Sequence, residues 1–184
     1  MPKEPNRSAS PKKIQFDAKK LRAFFINHLN RIYAAKAHLV AKLPQLEDEV
    51  NFSDLRMAIR ETVEDVEKQI ARMEVIYELL EEPIGKGSIH GLTGLVDDAF
   101  EAIRKQAGEA ELRDMSIIFY LQNIESMEMA SFQVLQIAAV KIKNKQVKQL
   151  LKENYDEAKA DRTLLLLIAA KYLTNSSSAS GTKS

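Results

Sequence analysis

The chain has no cysteine, no tryptophan and only six glycines in 184 residues. Without cysteine there is no disulfide framework, zinc–thiolate site or thiol nucleophile. This absence fits a reducing compartment, so a cytoplasmic location is expected. Charge of one sign is also missing. Twenty-seven basic and 26 acidic residues leave a formal net charge of +1, without the basic excess that marks a nucleic-acid binder. Long apolar runs are missing too: the strongest, 164–170, stops at Lys171 and is far shorter than the ~18 residues of a membrane span. Residues 1–13 are polar with no apolar stretch behind them, so a secretory leader is not expected. No convincing run of strand alternation is present.

What remains is helical periodicity. The expected organisation is a disordered tail over 1–13, a helical bundle over 14–173 and a Ser-rich disordered tail over 174–184. The first helix starts at Asp17, a good N-cap. It carries a stripe through Leu21, Phe25, Leu29, Ile32, Lys36 and Leu43, and ends before Pro44. The second follows Ser53 and runs through Leu55, Ile59, Thr62, Val66, Met73, Tyr77 and Leu80. A short third helix fits 92–105. The fourth begins near Arg113 and runs through Ile117, Leu121, Glu125, Glu128, Phe132 and Leu135. Asn144 marks a break, and the fifth runs through Val147, Leu150, Asn154, Glu157, Asp161, Leu164 and Ile168. The four long helices are each on the order of 25 residues, roughly 40 Å. Short links make neighbours antiparallel, whereas 81–112 is long enough to cross the bundle. The expected fold is all-α: a ferritin-like four-helix bundle with one long crossover carrying a short extra helix.

Several ionisable groups fall on the stripes that should be buried. Buried charge is expensive unless it pairs or binds a metal. Glu125 and Glu128, and Glu157 and Asp161, are spaced to sit one turn apart on a helix face. Asp65 follows Thr62 by three residues. Carboxylates in this arrangement suit iron or manganese, and a di-iron site takes about six ligands, usually including two imidazoles. None of the three histidines fits easily. His28 is two turns from Lys36, His38 points off the stripe, and His90 is in the crossover. Lys36 stands where a carboxylate would be expected. Blander readings exist for each group: Lys36 reaching water along its stem, Glu125 and Glu128 at the stripe's edge, Asp161 paired with Arg162 or Lys159, and Asp65 facing solvent. Thr62 and Gln69 are expected to be satisfied core polar groups, and methionines 73, 115, 127 and 129 to be core fillers. Gly85-Lys-Gly-Ser lacks the full phosphate-loop pattern and reads as a hinge. No nucleophile–base set is present.

The stretches Arg31-Ile-Tyr-Ala-Ala-Lys-Ala-His, Leu55-Arg-Met-Ala-Ile-Arg-Glu-Thr, Gly94-Leu-Val-Asp-Asp, Arg113-Asp-Met-Ser, Gln122-Asn-Ile-Glu-Ser-Met-Glu-Met-Ala and Asp156-Glu-Ala-Lys-Ala-Asp resemble the YciE/YciF-type family of ferritin-like bacterial stress proteins. The resemblance covers about 21–172. It implies a stress-associated homodimer with a di-metal site. Against the family pattern, Lys36 replaces a glutamate, Thr62 and Asp65 stand where a histidine and a glutamate occur, and Glu125-Ser-Met-Glu128 replaces Glu-His-Tyr-Glu. The expectation is therefore a degenerate site in which Glu125, Glu128, Glu157, Asp161 and Asp65 bind no metal or a single weakly held iron or manganese ion. Lys36 would act as the internal cation, salt-bridged to Glu125 or Glu128, and ferroxidase activity would be absent. The alternatives are a divergent metal-dependent oxidase or storage protein using the same carboxylates, and a pure interaction module. Neither a small-molecule substrate nor a nucleic-acid or membrane partner is indicated.

Overall fold

A computed structural model describes residues 16–85 and 92–175. The expected tail over 1–13 and His90 lie outside the described residues, as does most of the expected tail over 174–184. Every regular element among the described residues is helical: α1 (Ala18–Lys42), α2 (Pro44–Glu47), α3 (Ser53–Leu79), α4 (Leu92–Lys105), α5 (Ala110–Ile142) and α6 (Lys145–Asn175).

The local chemistry accounts for the boundaries. Asp17 caps α1 by accepting the Lys20 N–H at 2.7 Å. Pro44 does not end helical structure outright. It opens the single turn α2, because its fixed φ suits a first helical position. The Asn144 side chain accepts the N–H groups of Gln146 and Val147 at 3.0 and 3.1 Å, which starts α6. Lys143 before it turns the chain through the left-handed region, φ 60°. The N-cap of α3, Phe52, has no side-chain cap of its own. Asp114, buried in α5, supplies the acceptor from across the bundle, taking the N–H groups of Asn51 and Phe52 at 2.7 Å each. α5 starts at Ala110, three residues before the expected Arg113.

α1 packs on α3 and α5, and α6 packs on the same two, so α3 and α5 sit diagonally. Leu39 and Leu43 at the end of α1 share a core with Leu55 at the start of α3, Ile117 at the start of α5 and Ile168 near the end of α6. α3 and α5 therefore run parallel, as a long crossover requires, and α4 lies against α1 and α5. The core is in two blocks. One holds the residues just named. The other, at the opposite end, holds Phe25, Leu29, Met73, Tyr77, Phe132 and Leu151. Among the described residues no helix is long and apolar enough to cross a membrane.

Candidate functional site: a polar layer across the bundle

Between the two apolar blocks lie buried polar side chains from all four long helices: Lys36 (α1), Thr62 and Gln69 (α3), Glu125 and Glu128 (α5), Asn154 and Asp161 (α6). Helical spacing puts them there. Glu125 and Glu128, like Asn154 and Asp161, repeat at three- or seven-residue intervals that return to one face.

Lys36 is fully buried. Its Nζ donates to Glu128 Oε2 and to Gln69 Oε1, and lies 5.6 Å from the centroid of the Phe132 ring. Neither the solvent-reaching reading of Lys36 nor the edge placement of Glu125 and Glu128 describes this geometry. One ammonium meets one carboxylate and one amide oxygen. Glu125 is left over: both of its carboxylate oxygens are buried with no hydrogen-bond partner. Burial pushes its pKa up, the neighbouring Glu128 adds to the rise, and Lys36 opposes it. Asp161 is also buried, and its Oδ2 has no partner. Burial, then the Asp65 carboxylate, push its pKa up to about 7. The surface pairing of Asp161 with Arg162 or Lys159 is not formed. Gln69 is not fully satisfied either. Its Nε2 has no partner, although its backbone carbonyl accepts Asn154 Nδ2 at 3.2 Å.

Two expected members lie at the edge of the layer and are held by other partners. Glu157 is drawn to the α3–α6 seam, where Arg72 holds its two oxygens at 2.6 Å each in a fork-to-fork pair. Arg72 also lies 3.2 Å from Glu153. A guanidinium matched to a carboxylate in this way holds it more firmly than a point charge does. Asp65 turns to Lys68 at 2.7 Å. Arg72 is the functional neighbour that the sequence reading passed over. The Glu153–Glu157 pair, one turn apart on α6, is the signal that pointed to a cation across the seam. Met127 departs from its expected role as core filler, being 42% exposed.

A dinuclear iron centre does not fit this donor set. Among the described residues, no three of His, Cys, Asp and Glu form a group able to hold a metal ion. His28 stacks on Phe24 with centroids 4.3 Å apart, and His38 pairs with Asp97 at 2.9 Å. The Lys36 amine stands at the centre of the layer, bound to Glu128 and Gln69.

Comparison with known proteins gives this geometry a family. A family model described as a domain of unknown function, DUF892, matches residues 20–177. Protein YciF of Escherichia coli K12 is 28% identical over 137 residues, which cover 74% of this chain and 82% of YciF. The crystal structure of the E. coli stress protein YciF superposes with a TM-score of 0.80 at 26% identity, covering 85% of this chain and 98% of that one. YcfI from Rhodopseudomonas palustris shares the fold, with a TM-score of 0.75 at 23% identity over 86% of this chain and 98% of its own. The chain thus belongs to the DUF892 family, the family of YciF-type helical bundles.

Proposed function

We propose that this protein is a cytoplasmic, stress-associated bundle that works through assembly as a homodimer, and that its interior is a vestigial di-metal site closed by an internal ion pair. The observation that carries this reading is the buried Lys36 ammonium bound to Glu128 and Gln69 at the centre of the bundle. An ammonium there repels a metal cation and consumes a carboxylate that would ligate one. With Glu157 held by Arg72 and no imidazole among the layer's members, too few donors remain for the oxidation of two irons. Metal analysis after expression in iron- and manganese-supplemented medium, with an Fe(II) oxidation assay, tests the proposal. The expected result is less than one equivalent of metal per chain and no oxidation above the protein-free rate. Two equivalents of iron with turnover overturn it.

One observation favours a second reading. Both oxygens of Glu125 and one of Asp161 are buried without partners, which leaves acceptors free for a single weakly bound iron or manganese ion, as in a divergent storage protein or oxidase. One equivalent of metal that is lost in Glu125→Gln would support this reading over the first.

A further inference from the structure

Helix α5 is apolar on two opposite faces. Its inner face carries the core. Its outer face, at steps of seven, eight, seven and three residues that return to one side of the helix, presents Leu112, Phe119, Met127, Val134 and Ile137, from 42% exposed at Met127 to 73% at Ile137. From Met115 to Val140 the only charged residues are Glu125 and Glu128, and both are buried. The outward side of seven turns of helix therefore carries no charge, in a chain that is 29% charged. Helices that are hydrophobic all round are normally buried, and among the described residues nothing covers this side.

We propose that the outer face of α5 is the interface at which two copies of this chain associate, α5 packing antiparallel on α5 about a twofold axis that passes between Ser126 and Met127. This rests on the assembly reading given above and assigns its surface. Three observations select the occupant and the geometry. First, a twofold contact sets each residue against the same stripe reversed, so a charge-free stripe meets no like charge. Second, about that midpoint large outward residues fall against small, polar or apolar ones of the other copy, with Leu112 set against Lys141 at each end. Phe119 of one copy meets Val134 of the other, Ser116 meets Ile137, and Asn123 meets the small Ala130, which is coiled-coil-like alternation. Third, the ends complement each other. Antiparallel packing lays the acidic start of α5, Glu109 and Glu111, along the basic end of the second copy, Lys141, Lys143 and Lys145. Arg113, the exception at the acidic end, turns back to the Glu49 carbonyl.

A shape match adds to these. An apolar hollow lies beside Val134, bounded by Phe16, Leu21, Phe24 and Ile137. In this register the Phe119 ring of the second copy, 64% exposed in the free chain, arrives at that hollow. The other exposed apolar strip, with Met57 and Leu167 along α3 and α6, is interrupted by the Lys171–Asp54 ion pair and by Glu61. It lacks the charge-free character of the α5 face.

Light scattering and cross-linking on the full chain test the assignment. Wild type at micromolar concentration should weigh twice the 20.8 kDa chain. Phe119→Glu and Ile137→Glu should each weaken dimerisation by roughly 100-fold or more, with helical circular dichroism unchanged because both side chains face outward in the free chain. Leu167→Glu should remain dimeric. Because the chain has no cysteine, Met127→Cys places a single thiol at the axis and should give a disulfide-linked dimer on mild oxidation, whereas Leu167→Cys should not. A wild-type chain that is monomeric overturns both this assignment and the assembly reading. A dimer indifferent to both glutamates and not linked through position 127 overturns the assignment alone and leaves assembly standing on another face.

Discussion

Replacing Lys36 with methionine is the sharpest test of the interior. Methionine matches the lysine stem in length and apolar character, so packing against Phe132 is kept while the charge is removed. The carboxylate of Glu128 and the amide oxygen of Gln69, both buried, then lose their shared donor. Breaking a buried pair by deleting one partner typically destabilises by ~3–5 kcal/mol, because the other charge is stranded. Against a total stability of about 5–15 kcal/mol, that is a large fraction. For a domain of this size each kcal/mol lowers the melting temperature by about 2–4 °C, so the expected fall is about 6–20 °C by scanning calorimetry at pH 7.5. The double variant Lys36→Met/Glu128→Leu removes both charges and should recover most of the loss, since apolar replacement of a whole buried pair is commonly neutral or stabilising. A single variant that melts within about 2 °C of wild type would refute the idea that this ion pair is dehydrated and intact. A double variant no more stable than the single one would refute the pairing of these two residues in particular.

Other perturbations read the rest of the layer and the polar contacts outside it. Glu125 and Asp161 have raised folded-state pKa values, so the folded chain holds protons that the unfolded chain has released. Their contribution to stability is most favourable below the unfolded carboxylate range and falls as pH rises towards about 7, the value for Asp161, at up to about 1.4 kcal/mol per pH unit for each group. Asp161→Asn should therefore stabilise at pH 7.5 and do so much less at pH 5 in urea titrations; an equal effect at both pH values would contradict the shift. Asp114→Ala removes the acceptor of two backbone N–H groups ahead of α3 and should lower stability by about 1.5–3 kcal/mol by urea denaturation, with Asp114→Asn losing less. Arg72→Lys loses the two-point grip on Glu157 and should lower stability by about 0.5–1.5 kcal/mol, more at low salt; indifference to the change would place that seam in free exchange with water.

The helices were legible because each carries a single period and clear stops: Asp17, Asn144 and the break between Leu80 and Leu92. The crossover topology followed from linker lengths alone. The layer was legible in part. Lys36, Glu125, Glu128 and Asp161 lie near the centre lines of their stripes, so spacing placed them inward. Glu157 and Asp65 lie nearer the edge, where a half-turn of side chain decides between core and seam. There the outcome was set by a partner on another helix, Arg72 for one, and by Lys68 on the same helix for the other. A one-dimensional pattern holds no information about which cation stands across a seam. Pro44 marked the end of α1, at Lys42, as expected; what its presence did not reveal is the next turn, α2, because a new turn starts at proline itself with little resistance.

The outer face of α5 escaped the periodic reading because that reading looks for one apolar stripe and finds it. Met127 shows the consequence. It sits between Ser126 and the inward Glu128 in sequence, and a methionine looks like filler until the phase is counted, when it falls opposite the core. The absence of exposed charge from Met115 to Val140 was the usable signal, because a solvent-facing helix in so charged a chain should carry several ions on that side. The two faces also bear on each other. The turns of α5 that hold Glu125 and Glu128 are the turns that present Met127 and Ala130 outward. A second copy packed there would remove the only water-facing side of the helix that bears the ion pair. Opening of α5 into solvent would then require parting two chains, so exchange of the amides around Glu125 and Glu128 should slow with protein concentration, whereas in a monomer it would not.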